Sequence, residues 1–191
     1  MIDLNQLTNL ASTTLERFRL DNKVALVVGG SRGLGQAMAL ALSSAGADVC
    51  VVARSTQDLQ KTVEAISKMG KMGKSIVSDV TCEEEVEKMV EEVMKLFGRI
   101  DILVNNAGIN IPQWATEVTE EAWDKVINLN LKGLFFCCQA VGKVMIQQRK
   151  GKIINVSSTM GSVGLERRAA YSSSKAGVNL LTKVLAIEWA P

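Results

Sequence analysis

The sequence predicts an α/β fold: a doubly wound parallel sheet with helices on both faces, in one domain. Three observations carry this. Short apolar runs rich in valine alternate with longer segments of helical period along the whole chain. Such near-continuous apolar strands belong to sheets buried on both sides, and strand–helix alternation sets them parallel. The first run passes straight into a glycine-rich turn that opens a helix. Finally, 191 residues at 47% hydrophobic and 22% charged suit a single domain with a substantial core.

The elements follow in order. "KVALVV" (23–28) is the first strand, and "LGQAMALALSSAG" after it an alanine-rich helix. "DVCVVA" (48–53) is the second strand. The next helix, "TQDLQKTVEAISKMG", places Leu59, Val63, Ile66 and Met69 on one stripe. "KSIVSDV" reads as the third strand. "EEEVEKMVEEVMKLFG" is a helix turning Val86, Met89, Val90, Val93 and Phe97 inward. "IDILVNNAG" is a fourth strand running into a polar turn. A long helical stretch covers about 119–149, opened by the capping pattern "TEEAW". "GKIINVSS" is the fifth strand and "AYSSSKAGVNLLTKVLAIEWA" the last helix. "KIINVSS" then falls at the sheet edge, where an apolar strand calls for cover by a further segment or a partner. Residues 1–20 read as a leader or short amphipathic helix carrying Leu7, Leu10, Leu15 and Phe18.

Composition excludes several classes. The net charge of +2, from 22 Lys+Arg and 20 Asp+Glu, supplies no basic surface for nucleic acid. No apolar run reaches the roughly 18–20 residues of a membrane span. The opening segment lacks the charged start and compact apolar stretch of a secretory signal. Cys50, Cys82, Cys137 and Cys138 make no C-x-x-C, and the chain has no histidine. A usual zinc set and a cysteine–histidine nucleophile are therefore both out, and no metal site is expected. The cysteines read as reduced thiols of a cytoplasmic protein, with organellar targeting left open.

Two features point to chemistry. Gly29, Gly33 and Gly35, with Ser31, Arg32 and Leu34 between them, form G-x-x-x-G-x-G where strand meets helix. Backbone N–H groups and the positive helix end there suit a pyrophosphate. The second strand ends in Ala53 and Arg54 instead of the carboxylate that would pair with a ribose 2′-OH. Arg54 and Arg32 suit a 2′-phosphate, which favours NADP and leaves NAD open; either arginine equally suits a solvated surface. The second feature is "YSSSK" (171–175), which holds the only tyrosine. Tyr171 and Lys175 are i and i+4 and share a helix face. A cation beside a phenol lowers its ordinary pKa of about 10 and makes it an acid/base group near neutral pH. Taken alone, the pair also fits a half-buried tyrosine beside a solvated lysine.

The ordered set "GGSRGLG", "DV" (79–80), "NNAG" (105–108), "NLNLKG" (128–133), "NVSS" (155–158) and "YSSSK" resembles the short-chain dehydrogenase/reductase family from about Leu20 to the last residue. Ser158 stands thirteen residues before Tyr171, as in that family. Within it, "EAWDKVINLNLKGLFF" through "GKIINVSSTMGSVG" is most similar to members acting on sugar acids, with the 3-oxoacyl carrier-protein reductases close behind. The resemblance implies a Rossmann-type sheet of strand order 3-2-1-4-5. It implies an NAD(P)-dependent oxidoreductase that interconverts a small carbonyl compound and a secondary alcohol. Tyr171 would be the proton donor or base, Lys175 its modulator and a ligand of the nicotinamide ribose. Ser158 would hold the substrate oxygen, and Asn130 would anchor a proton-relaying water chain. Asp79 and Val80 would contact adenine; Asn106, Ala107 and Gly108 would flank the cofactor's middle. A homodimer or homotetramer would form through the 119–149 stretch and the Tyr171 helix.

Residues 21–191 are accordingly expected to form the dinucleotide-binding and catalytic domain, without the family's final strand and substrate loop. A non-catalytic dinucleotide-binding or regulatory homologue is the alternative. Ser158 as a turn cap and Asn130 as a loop-satisfying amide stand beside their functional readings. Val28 departs from the family's usual threonine before the first glycine, at the expected cost of one local hydrogen bond.

Overall fold

β1 (Val24–Val28), the sequence VALVV, is buried along its whole length and forms the centre of the sheet. β2 (Asp48–Ala53) and β4 (Ile102–Asn105) flank it, and β3 (Gly73–Val77) and β5 (Lys152–Asn155) form the edges. All pairings are parallel, in the order 3-2-1-4-5. The computed structural model describes residue 3 and residues 16–190. Of the expected leader helix, Leu7, Leu10 and Leu15 lie outside the described residues, and Phe18 is exposed.

Alternate residues of a strand face opposite sides, and each side gains its own core. Leu26, Val28, Cys50 and Val52 meet Val86, Met89 and Val93 of α3 (Glu83–Phe97) and Cys137 and Val141 of α5 (Leu134–Gln148). Val27, Val49 and Val51 meet Ala39 of α1 (Gly33–Ser44) and Leu59 and Ile66 of α2 (Thr56–Lys68). A third cluster joins Leu134 and Cys138 to Val178 and Leu185 of α6 (Ala169–Trp189). Burial pushes the Cys50 thiol up to about 12 and Cys138 to about 11, so both stay protonated. Cys82 alone is exposed.

The expected long helical stretch of about 119–149 is helical throughout from Glu120 to Gln148, as α4 (Glu120–Ile127), a π-helical turn Asn128–Gly133 and then α5. The wider turn shifts the register at Asn130, which becomes fully buried. Thr119 does cap α4, its Oγ1 accepting from Ala122 N at 3.2 Å. Met69 is exposed because α2 ends at Lys68, leaving Met69 as the cap instead of a stripe member. Glu120–Gln148 as a whole is long and apolar enough to cross a membrane by length and composition alone, a test that a buried core helix also passes. Here it is a core layer, with Val126, Leu134, Cys137 and Val141 buried. β5 sits at the edge as expected, with Ile154 exposed and a groove of about 740 Å³ beside it, bounded by Met145 and Trp189.

Candidate active site

The glycine turn is built by close approach of backbone to backbone. Gly29 takes φ +80°, and a Cβ there would lie 2.7 Å from Ala107 N. A Cβ on Gly35 would lie 2.0 Å from Gly29 O, so only glycine lets α1 start against the turn. The "NNAG" segment is pinned to the same place. Asn106 N and Ala107 N both donate to Val28 O, at 3.0 and 3.1 Å, and Asn106 Nδ2 donates to Gly29 O at 3.1 Å. Val28 contributes through its carbonyl, so the threonine hydroxyl is not needed to hold this contact.

Beside the turn opens a cleft of about 370 Å³, within the range of small-ligand sites. It brings together Gly29, Ser31, Arg32, Gly33, Arg54, Asp79, Val80, Asn106, Ala107 and Gly108. Leu34 and Gly35 do not line it: Leu34 points to solvent, and Gly35 is buried behind. Ser78, Ile109 and Leu129 line it without having been singled out. The only sequence signal for them is adjacency to the "DV", "NNAG" and "NLNLKG" motifs. No side chain caps α1 and its first turn holds no acid, so the positive helix end faces the cleft unneutralised. These features fit a dinucleotide pyrophosphate.

At the far end of the cleft, Arg54 Nη1 stands 3.8 Å from Asp79 Oδ2, with the arginine side chain 70% exposed. Asp79 Oδ1 accepts from Thr81 N at 3.0 Å and Thr81 Oγ1 at 2.8 Å, an Asx turn that the "DVT" sequence could have signalled. Burial pushes the Asp79 carboxyl up, but the Thr81 donors and Arg54 bring it net below the ordinary value.

The catalytic candidates gather where α6 meets the end of β5. Lys175 is 4% exposed, its Nζ 5.9 Å from the Tyr171 ring centroid, so the i, i+4 pair shares one face as expected. Nζ donates to Val156 O at 2.7 Å and lies 3.7 Å from where a Gly108 Cβ would stand. That proximity links the tyrosine–lysine face to the cleft. With no carboxylate against it, burial pulls the Lys175 ammonium below its ordinary value. Ser157 Oγ donates to Lys175 O at 3.1 Å and ties the Ser158 segment to α6. Ser158 Oγ accepts from Met160 N at 3.2 Å and caps a short 3₁₀ turn, Thr159–Gly161. Among the described residues no hydrogen bond joins the Ser158 and Tyr171 hydroxyls. Asn130 braces the region: it exchanges two 2.8 Å bonds with Ile109 N and O, and its Nδ2 donates to Ser174 Oγ at 3.1 Å.

A family profile described as short chain dehydrogenase matches residues 23–191. The chain belongs to the short-chain dehydrogenase family. It is 44% identical over 170 residues to a 3-oxoacyl-[acyl-carrier-protein] reductase of Staphylococcus epidermidis, spanning 88% of this chain and 70% of that protein. It is 40% identical over 177 residues to the 2-dehydro-3-deoxy-D-gluconate 5-dehydrogenase of Escherichia coli, spanning 92% and 69%. A crystal structure of NAD⁺-bound xylitol dehydrogenase superposes with a TM-score of 0.88 at 34% identity, covering 90% of this chain and 66% of that one. As a short-chain dehydrogenase, the protein is an oxidoreductase that works with a nicotinamide dinucleotide.

Proposed function

We propose that the protein is an NADP-preferring reductase or dehydrogenase for a small carbonyl/secondary-alcohol pair, with Tyr171 as its general acid/base. The observation that carries this is the position of the Lys175 amine, over the Tyr171 ring and against Gly108 of the cleft. The bound dinucleotide supplies the hydride chemistry. The chain's own residues position, polarise and move a proton. The Ser158 and Tyr171 hydroxyls offer two donors to an oxygen that gains negative charge, and Tyr171 Oη then yields its proton. Lys175, buried beside the phenol, holds its charge there, and Asn130 keeps Ile109 and α6 in register with the cleft.

The NADP preference rests on the end of β2. Ala53 offers no carboxylate to a 2′-OH, and the exposed Arg54 and Arg32 side chains rim the cleft. Tyr171→Phe is expected to lower turnover by roughly 10³-fold, the scale of general acid catalysis, with dinucleotide affinity kept. Arg54→Gln is expected to weaken NADPH about tenfold and leave NADH unchanged. Stopped assays at 340 nm and fluorescence titrations check both. Turnover unchanged in Tyr171→Phe overturns the mechanism, and equal affinity of the unaltered protein for NADPH and NADH overturns the preference. Dinucleotide binding with no turnover of any carbonyl supports the non-catalytic homologue instead.

A further inference from the structure

Thr62, in α2, is a fully buried polar residue whose hydroxyl joins three segments. Gln36 Nε2, from the first turn of α1, donates to Thr62 Oγ1 at 2.9 Å. Thr62 Oγ1 donates in turn to Gly30 O at 3.2 Å, with Asp58 O of its own helix farther off at 3.4 Å. A hydroxyl has one proton, and with the Gln36 amide on its lone pair that proton turns to the carbonyls. Among the described residues, two side chains donate to carbonyls of the glycine turn: Asn106 Nδ2 to Gly29 O, and Thr62 Oγ1 to Gly30 O.

The second of these bonds acts on the cleft through the backbone. Gly30 is buried, and a Cβ there would lie 2.8 Å from Val51 Cγ1. The next residue, Ser31, lines the cleft. The peptide joining them is planar and trans, so its C=O and N–H point in opposite directions. A hydroxyl that holds Gly30 O toward the interior therefore aims Ser31 N–H to the other side, where the cleft lies. Gly29 and Gly30 allow either orientation of this peptide at little cost, so the choice has to come from outside the turn.

We infer that Thr62, supported by Gln36, is a positioning residue of the dinucleotide site: it sets the Gly30–Ser31 peptide so that Ser31 N–H is presented to the pyrophosphate. This rests on the glycine turn as the pyrophosphate site and is independent of both the Tyr171 chemistry and the NADP preference. Without the hydroxyl the peptide is free to turn over, which sets a carbonyl oxygen toward the anion in place of a donor. The loss then falls on affinity for the dinucleotide.

Titration of NADPH and NADH against the unaltered protein, Thr62→Val and Thr62→Ser, with urea unfolding of each, tests the assignment. Thr62→Val keeps the side-chain shape and removes the hydroxyl; it is expected to weaken both dinucleotides roughly tenfold, the scale of one hydrogen bond to a charged group. Thr62→Ser keeps the hydroxyl and loses a buried methyl; it is expected to unfold more easily than the unaltered protein yet keep its affinity. A merely structural threonine predicts instead that affinity follows stability in both variants. That outcome, or full affinity in Thr62→Val, overturns the inference. If Thr62→Val does not fold, the Ser31 amide proton of the unaltered protein decides by NMR: it is expected to move downfield when NADH is added, and an unmoved signal overturns the inference. No dinucleotide binding by the unaltered protein removes the glycine-turn reading and this inference with it. The Thr62 effect without turnover removes only the Tyr171 reading, and the effect with equal NADPH and NADH affinity only the NADP preference.

Discussion

The two ends of the site are built from different materials. The dinucleotide end is backbone: glycine turn, helix terminus and "NNAG" loop meet at distances no side chain could enter. The proposed substrate end is side chain: Tyr171, Lys175, Ser158 and Asn130 come from α6, a strand end and a π turn. Several of these side chains already spend hydrogen bonds internally, Lys175 on Val156 O and Ser158 on Met160 N. A backbone site tolerates almost any exposed sequence but no added atom. A side-chain site tolerates added atoms at its rim but depends on the identity of each group.

The sharpest way to break this contrast is Gly35→Ala. Its methyl would stand 2.0 Å from Gly29 O and 2.6 Å from Asn106 Nδ2, so α1 must move away from the turn. Overpacking of this kind costs about 3 kcal/mol or more, and dinucleotide binding should be lost with it. Gly33→Ala is the control: φ is +57° with nothing within 4 Å, so only about 1–2 kcal/mol of backbone strain is expected. Urea unfolding and dinucleotide titration of both variants check the pair. Normal binding by Gly35→Ala would show that the cleft does not depend on backbone contact.

Asn130→Ala comes next, because Asn130 joins the two ends. Its loss leaves the half-buried Ile109 N and O beside the cleft without their partner, for a cost of about 1–2 kcal/mol. As a brace, it should lower unfolding stability by that amount and turnover more than dinucleotide affinity. Unchanged stability with lost turnover would make it a participant in proton transfer and not a strut.

The two ends also differ in how far they were legible. β1, β2 and β4 announce themselves as apolar runs because both faces of each are buried, and the glycines announce the turn because backbone contact forbids anything else. The π turn at Asn128–Gly133 left no mark in the apolar period, since one shifted hydrogen-bond register moves side chains by a fraction of a turn. The spacing of Tyr171 and Lys175 was readable because helix neighbours are local. The isolated parallel bridge between Gln113 and Arg168 was not, because it joins segments distant in sequence through contacts that no local pattern encodes. Met69 failed for a related reason: the stripe was right, but the helix ended one residue short of it.

The smallest expected effect concerns pH at the Asp79 end of the cleft. Asp79 is pushed up by burial and brought net below the ordinary carboxylate value by Thr81 and Arg54. A depressed folded-state pKa means that the unfolded chain binds the proton more readily. Stability from Asp79 is therefore present in full above about pH 4, the ordinary carboxylate value, and is lost as pH falls through the lower folded value. The side chain is 36% exposed and Arg54 70%, so solvent screening holds the contribution below about 1 kcal/mol. Asp79→Asn should lie just below the unaltered protein in chemical unfolding at pH 7, and the gap should close under acid conditions. Because Thr81 contributes two of the hydrogen bonds, high salt should remove only the Arg54 share. A gap that vanishes entirely in 1 M salt at pH 7 would instead assign the effect to the ion pair, and make this end of the cleft as dependent on side-chain charge as the other.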